Sequence, residues 1–286
     1  MTAVAVGSAV NETSTTGLRI LIEKYGINIP DAALANRDIF AGASTDDHRL
    51  NYLLDAINSN HKIIWAMRGG YGTARIIATL DYLPKPKSQK TFVGFSDATA
   101  LNLFISQKWP KWLVIHATVL TFLNKTDFEN KFDILLNILE NKIDHYDVDG
   151  VYPLNDKALA QKSITGKLTG GNLCIVVSSL KTCWEIQTDG KILFLEDTHE
   201  MPERIYRAMY HLKEAGKLSK VKAVIFGHFH AAGNPKKLEL FLKGFAQILD
   251  IPVYITDKFG HGVYNVPMIY NAKAIIHDNK MTINVK

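Results

Sequence analysis

The chain has 286 residues, 47% of them hydrophobic, and its 33 lysines and arginines against 28 aspartates and glutamates give a formal charge of +5. The charges are scattered, and the one local cluster, Lys85-Pro86-Lys87-Ser88-Gln89-Lys90, reads as a solvated loop, so no nucleic-acid-binding face is expected. No apolar run reaches the roughly 18–20 residues that cross a bilayer, and Met1–Ser8 lacks the basic start and long apolar core of a signal peptide, so no membrane association is expected.

The length exceeds one typical domain and suggests two. In chain order, Val4–Val6 reads as a short strand. Thr15–Tyr25 carries Leu18, Leu21 and Ile22 at helical spacing, with Gly26 as its cap. Asp46–Asn58 sets Leu50, Leu53, Leu54 and Ile57 on one face, and Thr45 or Asp46 is its natural N-cap. Ile63–Met67 is the next strand, Thr73–Leu80 the next helix, and Phe92–Val93 begins another strand. This alternation predicts a parallel, doubly wound α/β sheet. Between Asp144 and Thr165, Val148, Val151, Tyr152 and Leu154 are interspersed with Asp, Gly, Pro and Asn. That reads as a connection with some extended structure, dividing a domain over residues 1–150 from one over 151–286. Cys174 and Cys183, the only cysteines, fall in a stretch that reads as buried; two thiols in so long a chain suggest reduced cysteines and a cytoplasmic setting. There follow a strand at Lys191–Glu196, a helix at Arg204–Ala215, a strand at Val221–Phe226, a helix at Lys236–Ile248 and a strand at Val253–Thr256. Ala272–Ile276 and Lys280–Val285, separated by Asp278-Asn279, predict a closing hairpin.

Two strand ends open into small-residue turns: Arg68-Gly69-Gly70-Tyr71-Gly72 and Gly94-Phe95-Ser96-Asp97. Both would lie on the edge of a parallel sheet where open α/β folds build their sites. Ser96 stands at a strand-to-helix corner, which can expose a hydroxyl as an acyl-transfer nucleophile needs, although Ala98 stands where the usual hydrolase elbow has a second glycine. Equally, Ser96 is a helix N-cap. The two roles are compatible, because free N–H groups at a helix start also stabilise an oxyanion. His261, flanked by Gly260 and Gly262 just past a strand, is either a general base or a loop histidine. Glu196 ends an apolar strand and could orient an imidazole; it could also open a helix, as could Glu200 or Glu203. His228 and His230, together with His261, make a candidate metal site. His116 reads as a buried structural histidine, and Trp65, Trp109, Trp112 and Trp184 as packing residues.

Taken in order, several segments resemble the LD-carboxypeptidases, serine peptidases related to the microcin C immunity proteins. They are Ala41-Gly42-Ala43-Ser44-Thr45-Asp46-Asp47-His48-Arg49-Leu50, Ala66–Arg75 with its Arg-Gly-Gly-Tyr-Gly core, Val93–Leu101, Gly166–Leu173, Leu193–Asp197 and Gly260-His261-Gly262. The resemblance spans nearly the whole chain. It implies an N-terminal parallel-sheet α/β domain and a C-terminal β-rich α/β domain with the active site between them. It also implies a triad of Ser96, His261 and Glu196, and a cytoplasmic homodimer that uses no metal or other cofactor. The implied substrate is a muropeptide that loses its terminal D-alanine or, in the immunity branch, an aminoacyl-nucleotide. On this reading the N–H of Asp97, with that of Gly69 or Gly70, would hold the oxyanion; the alternative role for Asp97 is only to cap its helix. Arg68 would bind the substrate carboxylate or serve in a structural ion pair. The chain departs from the family pattern at His116-Ala117-Thr118, Tyr206-Arg207, Gly227-His228 and Pro267-Met268-Ile269. Two other readings remain: a metal-dependent hydrolase using His228, His230 and His261, and a non-enzymatic binding domain for muropeptide or nucleotide ligands.

Overall fold

The computed structural model describes residues 1–7, 26–27, 45–124, 128–230 and 232–285. The chain divides into two units: Met1–Asp133 with Lys181–Trp184, and Ile134–Leu180 with Glu185–Lys286. The expected helix at Thr15–Tyr25 and the segment Ala41–Ser44 lie outside the described residues.

In the first unit, β1 (Thr2–Val4) leads to α1 (Asp46–Asn58), whose bounds are those the sequence predicts. Thr45 caps α1 by accepting the His48 N–H at 3.4 Å, and Asp46 and Asp47 place negative charge where the helix dipole favours it. Leu53, Ala56 and Ile57 give α1 its buried face. The chain continues through β2 (Ile63–Ala66), α2 (Ile77–Tyr82), β3 (Thr91–Gly94), α3 (Thr99–Lys108) and β4 (Leu113–His116). β1, β2, β3 and β4 pair in that order, all parallel. The helix expected from Thr73 starts as a 3-10 turn, Thr73–Ile76, ahead of α2. α3 is buried from Thr99 to Ser106 and so shows no polar face. All four tryptophans are 7% exposed or less, in keeping with packing roles.

α4 (Phe128–Leu139) carries the chain into the second unit. That unit holds an eight-stranded sheet with the order β5 (His145–Asp149), β13 (Lys280–Asn284), β12 (Lys273–His277), β7 (Ser163–Asn172), β8 (Lys191–Thr198), β9 (Ala223–His230), β10 (Val253–Gly260), β6 (Tyr152–Pro153). β7 to β10 run parallel, and the strands flanking them pair antiparallel. α5 (Asp156–Leu159), α6 (Leu173–Ser178), α7 (Pro202–Glu214), α8 (Pro235–Gln247) and the short β11 (Met268–Ile269) complete the unit. α7 buries Ile205, Met209 and Leu212, and α8 buries Leu238, Leu242 and Phe245. Tyr206 packs its ring against Phe241, and Tyr210 against Phe245, across the two helices.

Three expectations are corrected. The segment from Asp144 to Thr165 supplies β5, β6, α5 and the start of β7; in β5, Tyr146 and Val148 are buried between exposed neighbours, the period-two pattern of a half-buried strand. β8, β9 and β10 continue to Thr198, His230 and Gly260, past the ends of their apolar runs. The cysteines are not both buried: Cys174 is half-buried and Cys183 exposed, because the chain turns outward through Lys181, at φ 62°, before Trp184 returns to the core.

Candidate active site

The first unit presents Ser96. β3 ends at Gly94, Phe95 is extended at φ −148°, and Ser96 takes φ 58° before the chain enters a 3-10 turn and α3. The left-handed region disfavours a side-chain-bearing residue, and such strain persists where the surroundings impose it. Its effect is visible in burial: from Phe92 to Ser106, Ser96 is the one residue that is not buried. Small neighbours make the corner possible. A Cβ on Gly94 would lie 2.7 Å from Asn102 Oδ1, and Asn102 donates to the Gly94 carbonyl at 3.0 Å. A Cβ on Gly69 would lie 2.9 Å from Ser96 Cβ and 3.0 Å from its Oγ. The two small-residue turns therefore meet at the serine.

Asp97 joins these turns. Its carboxylate is 3% exposed and accepts the N–H of Thr73 at 3.0 Å and the Thr73 hydroxyl at 2.5 Å. Burial pushes this carboxyl above its ordinary range, against the Thr73 hydrogen bonds and the charge of Arg49. The Arg49 guanidinium is fully buried and donates to Asp46 at 2.7 Å; Gly72, at φ 123°, lies so close that a Cβ there would sit 2.7 Å from Arg49 Cζ. Thr73 and Arg49 were not singled out as site residues from the sequence. Their signal is long-range: Thr73 and Asp97 are 24 residues apart. Arg68 is half-buried, Gly69 buried and Gly70 exposed with φ 99°.

The second unit brings Glu196 and His261 together. Glu196, near the end of β8, is fully buried, and its Oε2 lies 2.5 Å from His261 Nδ1. Gly260 makes the approach possible: it has φ 108°, and a Cβ there would lie 2.9 Å from Glu196 Cβ. The Gly260 N–H donates to Asn265 Oδ1 at 3.2 Å, closing the turn after His261. Asp197 has a different task. It accepts Asn172 Nδ2 at 2.9 Å, the Cys174 N–H at 3.0 Å and the Thr198 N–H at 2.8 Å, so it ties β8 to the start of α6. Burial first, and then the Glu196 charge, raise its carboxyl.

The other candidates are accounted for. Glu200 pairs with Arg204, and Glu203 with Lys237. His116 is fully buried on β4, edge-on to Phe95 at 4.9 Å between ring centroids. The metal reading is corrected: among the described residues no three His, Cys, Asp or Glu side chains form a group that could hold a metal ion, and His228, His230 and His261 are no exception. The His228 and His230 rings stack on each other with centroids 6.3 Å apart. Among the described residues no helix is long and apolar enough to cross a membrane.

Comparison with known proteins places this architecture. Residues 1–117 match the LD-carboxypeptidase N-terminal domain and residues 165–276 the LD-carboxypeptidase C-terminal domain. A Rickettsia conorii protein assigned by inference as a carboxypeptidase is 46% identical over 83% of this chain and 75% of its own length. The murein tetrapeptide carboxypeptidase of Pseudomonas aeruginosa is 26% identical over 84% of this chain and 80% of its own. The crystal structure of muramoyltetrapeptide carboxypeptidase from Oxalobacter formigenes superposes with a TM-score of 0.80 at 25% identity, covering 99% of this chain and 97% of that one. The microcin C7 self-immunity protein MccF, in complex with aspartyl sulfamoyl adenosine, shares the fold with a TM-score of 0.82 at 18% identity, over 99% and 95% of the two chains. The chain belongs to the LD-carboxypeptidase family, a class of serine carboxypeptidases.

Proposed function

We propose that this protein hydrolyses the L,D-peptide bond that holds the terminal D-alanine of a murein tetrapeptide. The observation that carries the reading is the buried Glu196–His261 hydrogen bond. With Nδ1–H donated to a carboxylate, the Nε2 lone pair is the basic site of the ring, and the carboxylate stabilises the imidazolium that forms when a proton arrives. Ser96, lifted out of its buried surroundings by a left-handed backbone, is the nucleophile. In the proposed reaction the Ser96 hydroxyl attacks the scissile carbonyl as His261 takes its proton. The tetrahedral oxyanion is held by the N–H of Asp97 with that of Gly69 or Gly70, and each such donor is worth about 10²–10³ in rate. His261 then returns the proton to the leaving D-alanine amine, and water releases the acyl-enzyme by the same route in reverse. Arg68 is the cation assigned to the substrate's terminal carboxylate. The Pseudomonas and Oxalobacter relatives, both named for murein tetrapeptides, support this substrate.

The test is incubation with defined murein tetrapeptides and, separately, with a peptidyl-nucleotide conjugate, with products read by mass. Release of D-alanine from the tetrapeptide is expected. Cleavage of the nucleotide conjugate alone would replace this substrate with that of the immunity proteins.

A further inference from the structure

His228 lies outside the proposed triad, yet the turn that carries His261 is built against it. In the β9–β10 register His228 stands opposite Gly260. A Cβ on Gly260 would lie 2.7 Å from the His228 carbonyl oxygen, and a Cβ on Gly262 would lie 2.7 Å from His228 Cγ and 2.9 Å from its Cδ2. Both glycines that flank His261 are thus pressed on the same residue, one on its backbone and one on its ring. His228 Nδ1 is buried and has no hydrogen-bond partner among the described residues. A cavity of about 770 Å³, lined by His228, Phe229, Leu238 and Asp257 among others, opens beside it.

We propose that His228 is a positioning residue for the general base: its uncharged ring is the floor on which the Gly260-His261-Gly262 turn rests, and this floor holds the His261 imidazole against Glu196.

The surroundings keep the ring uncharged. Burial, followed by the neighbouring His230 and to a lesser degree His261, lowers its proton affinity, while Asp257 and Glu196 act in the opposite direction. Protonation would also bury an N–H at Nδ1 with no acceptor. Removing the ring takes away the atoms against which Gly262 is packed, so the turn loses that support.

The proposal rests on His261 being the base, and the experiment separates the two. His228→Ala is expected to lower kcat by about 10- to 100-fold through misplacement of the base, with KM within about twofold of the parent. In the same variant the downfield proton resonance of the His261 Nδ1–H, which reports its hydrogen bond to Glu196, should move upfield or broaden in the NMR spectrum. His228→Asn, which keeps Cβ, Cγ and a planar atom in place of Cδ2, should restore most of the rate. Gly262→Ala should lose rate in the parent and regain part of it in His228→Ala, since the ring it strikes is gone. An unchanged His261 Nδ1–H resonance in His228→Ala overturns the proposal whether or not turnover is measured. Turnover retained by Ser96→Ala or His261→Ala would instead overturn the assigned triad.

Discussion

Ser96 carries backbone strain that a serine does not choose for itself, and Gly69 packs against it with no room for a methyl group. Ser96→Ala is expected to reduce kcat/KM by about 10⁴-fold or more, with an unchanged circular dichroism spectrum. Gly69→Ala should leave a folded protein whose kcat falls about 10²-fold, because the added Cβ would sit 2.9 Å from Ser96 Cβ and displace the hydroxyl. Glu196→Gln replaces an acceptor with an amide facing the imidazole, which favours the wrong tautomer; a loss of about 10³- to 10⁴-fold in kcat is expected, read by steady-state kinetics. These three positions are legible in the sequence because each interrupts an apolar run or sits among glycines. The pairings of Thr73 with Asp97 and of Asn172 with Asp197 are not, because the partners lie 24 and 25 residues apart and no local pattern announces them.

At the scale of elements, α1 and the final hairpin are read from sequence with little error, since local chemistry decides them. Thr45 caps α1, and Asp278 and Asn279 take φ 47° and 58°, both left-handed as a two-residue hairpin turn requires. Asn279→Val should destabilise the second unit by about 1–2 kcal/mol, whereas Asn279→Gly should not, as read by urea unfolding followed by circular dichroism. The ends of β8, β9 and β10 escape the sequence for a local reason. Where the sheet presents Glu196, His228 and Gly260, polar and glycine residues end the hydrophobic signal while pairing continues through irregular register. The turn before α2 depends instead on a buried carboxyl group. Asp97 titrates above the ordinary carboxylate range, so its contribution to stability is full below the unfolded value of about 4 and is lost as pH rises through the folded one. Thr73→Val removes a hydrogen bond that opposes this shift and raises the folded value further. The variant should lose about 1.5–3 kcal/mol at neutral pH and much less near pH 4, measured as urea midpoints across that range.

On the scale of the whole molecule, the chain divides into two units, and all four tryptophans belong to the first. Indole fluorescence therefore follows the unfolding of the serine-bearing unit, while far-ultraviolet circular dichroism follows both. Asn279→Val is expected to lower the dichroism midpoint in urea and leave the fluorescence midpoint in place; a common shift of both would show that the units melt as one. The parallel α/β sheet of the first unit is legible from alternation alone. The β-rich character of the second unit is less so, because edge strands such as β5 and β6 are short and polar on one side.

The four-residue piece Lys181–Trp184 is counted with the first unit although the chain on both sides of it belongs to the second. The polypeptide is consequently stitched through its two halves three times. A single protease nick cannot free one from the other as a whole, and a fragment cut after Asp133 would leave behind the indole of Trp184, which is only 4% exposed in the intact chain. Dissecting this enzyme into independent halves calls for a graft that returns that stitch, not for simple truncation.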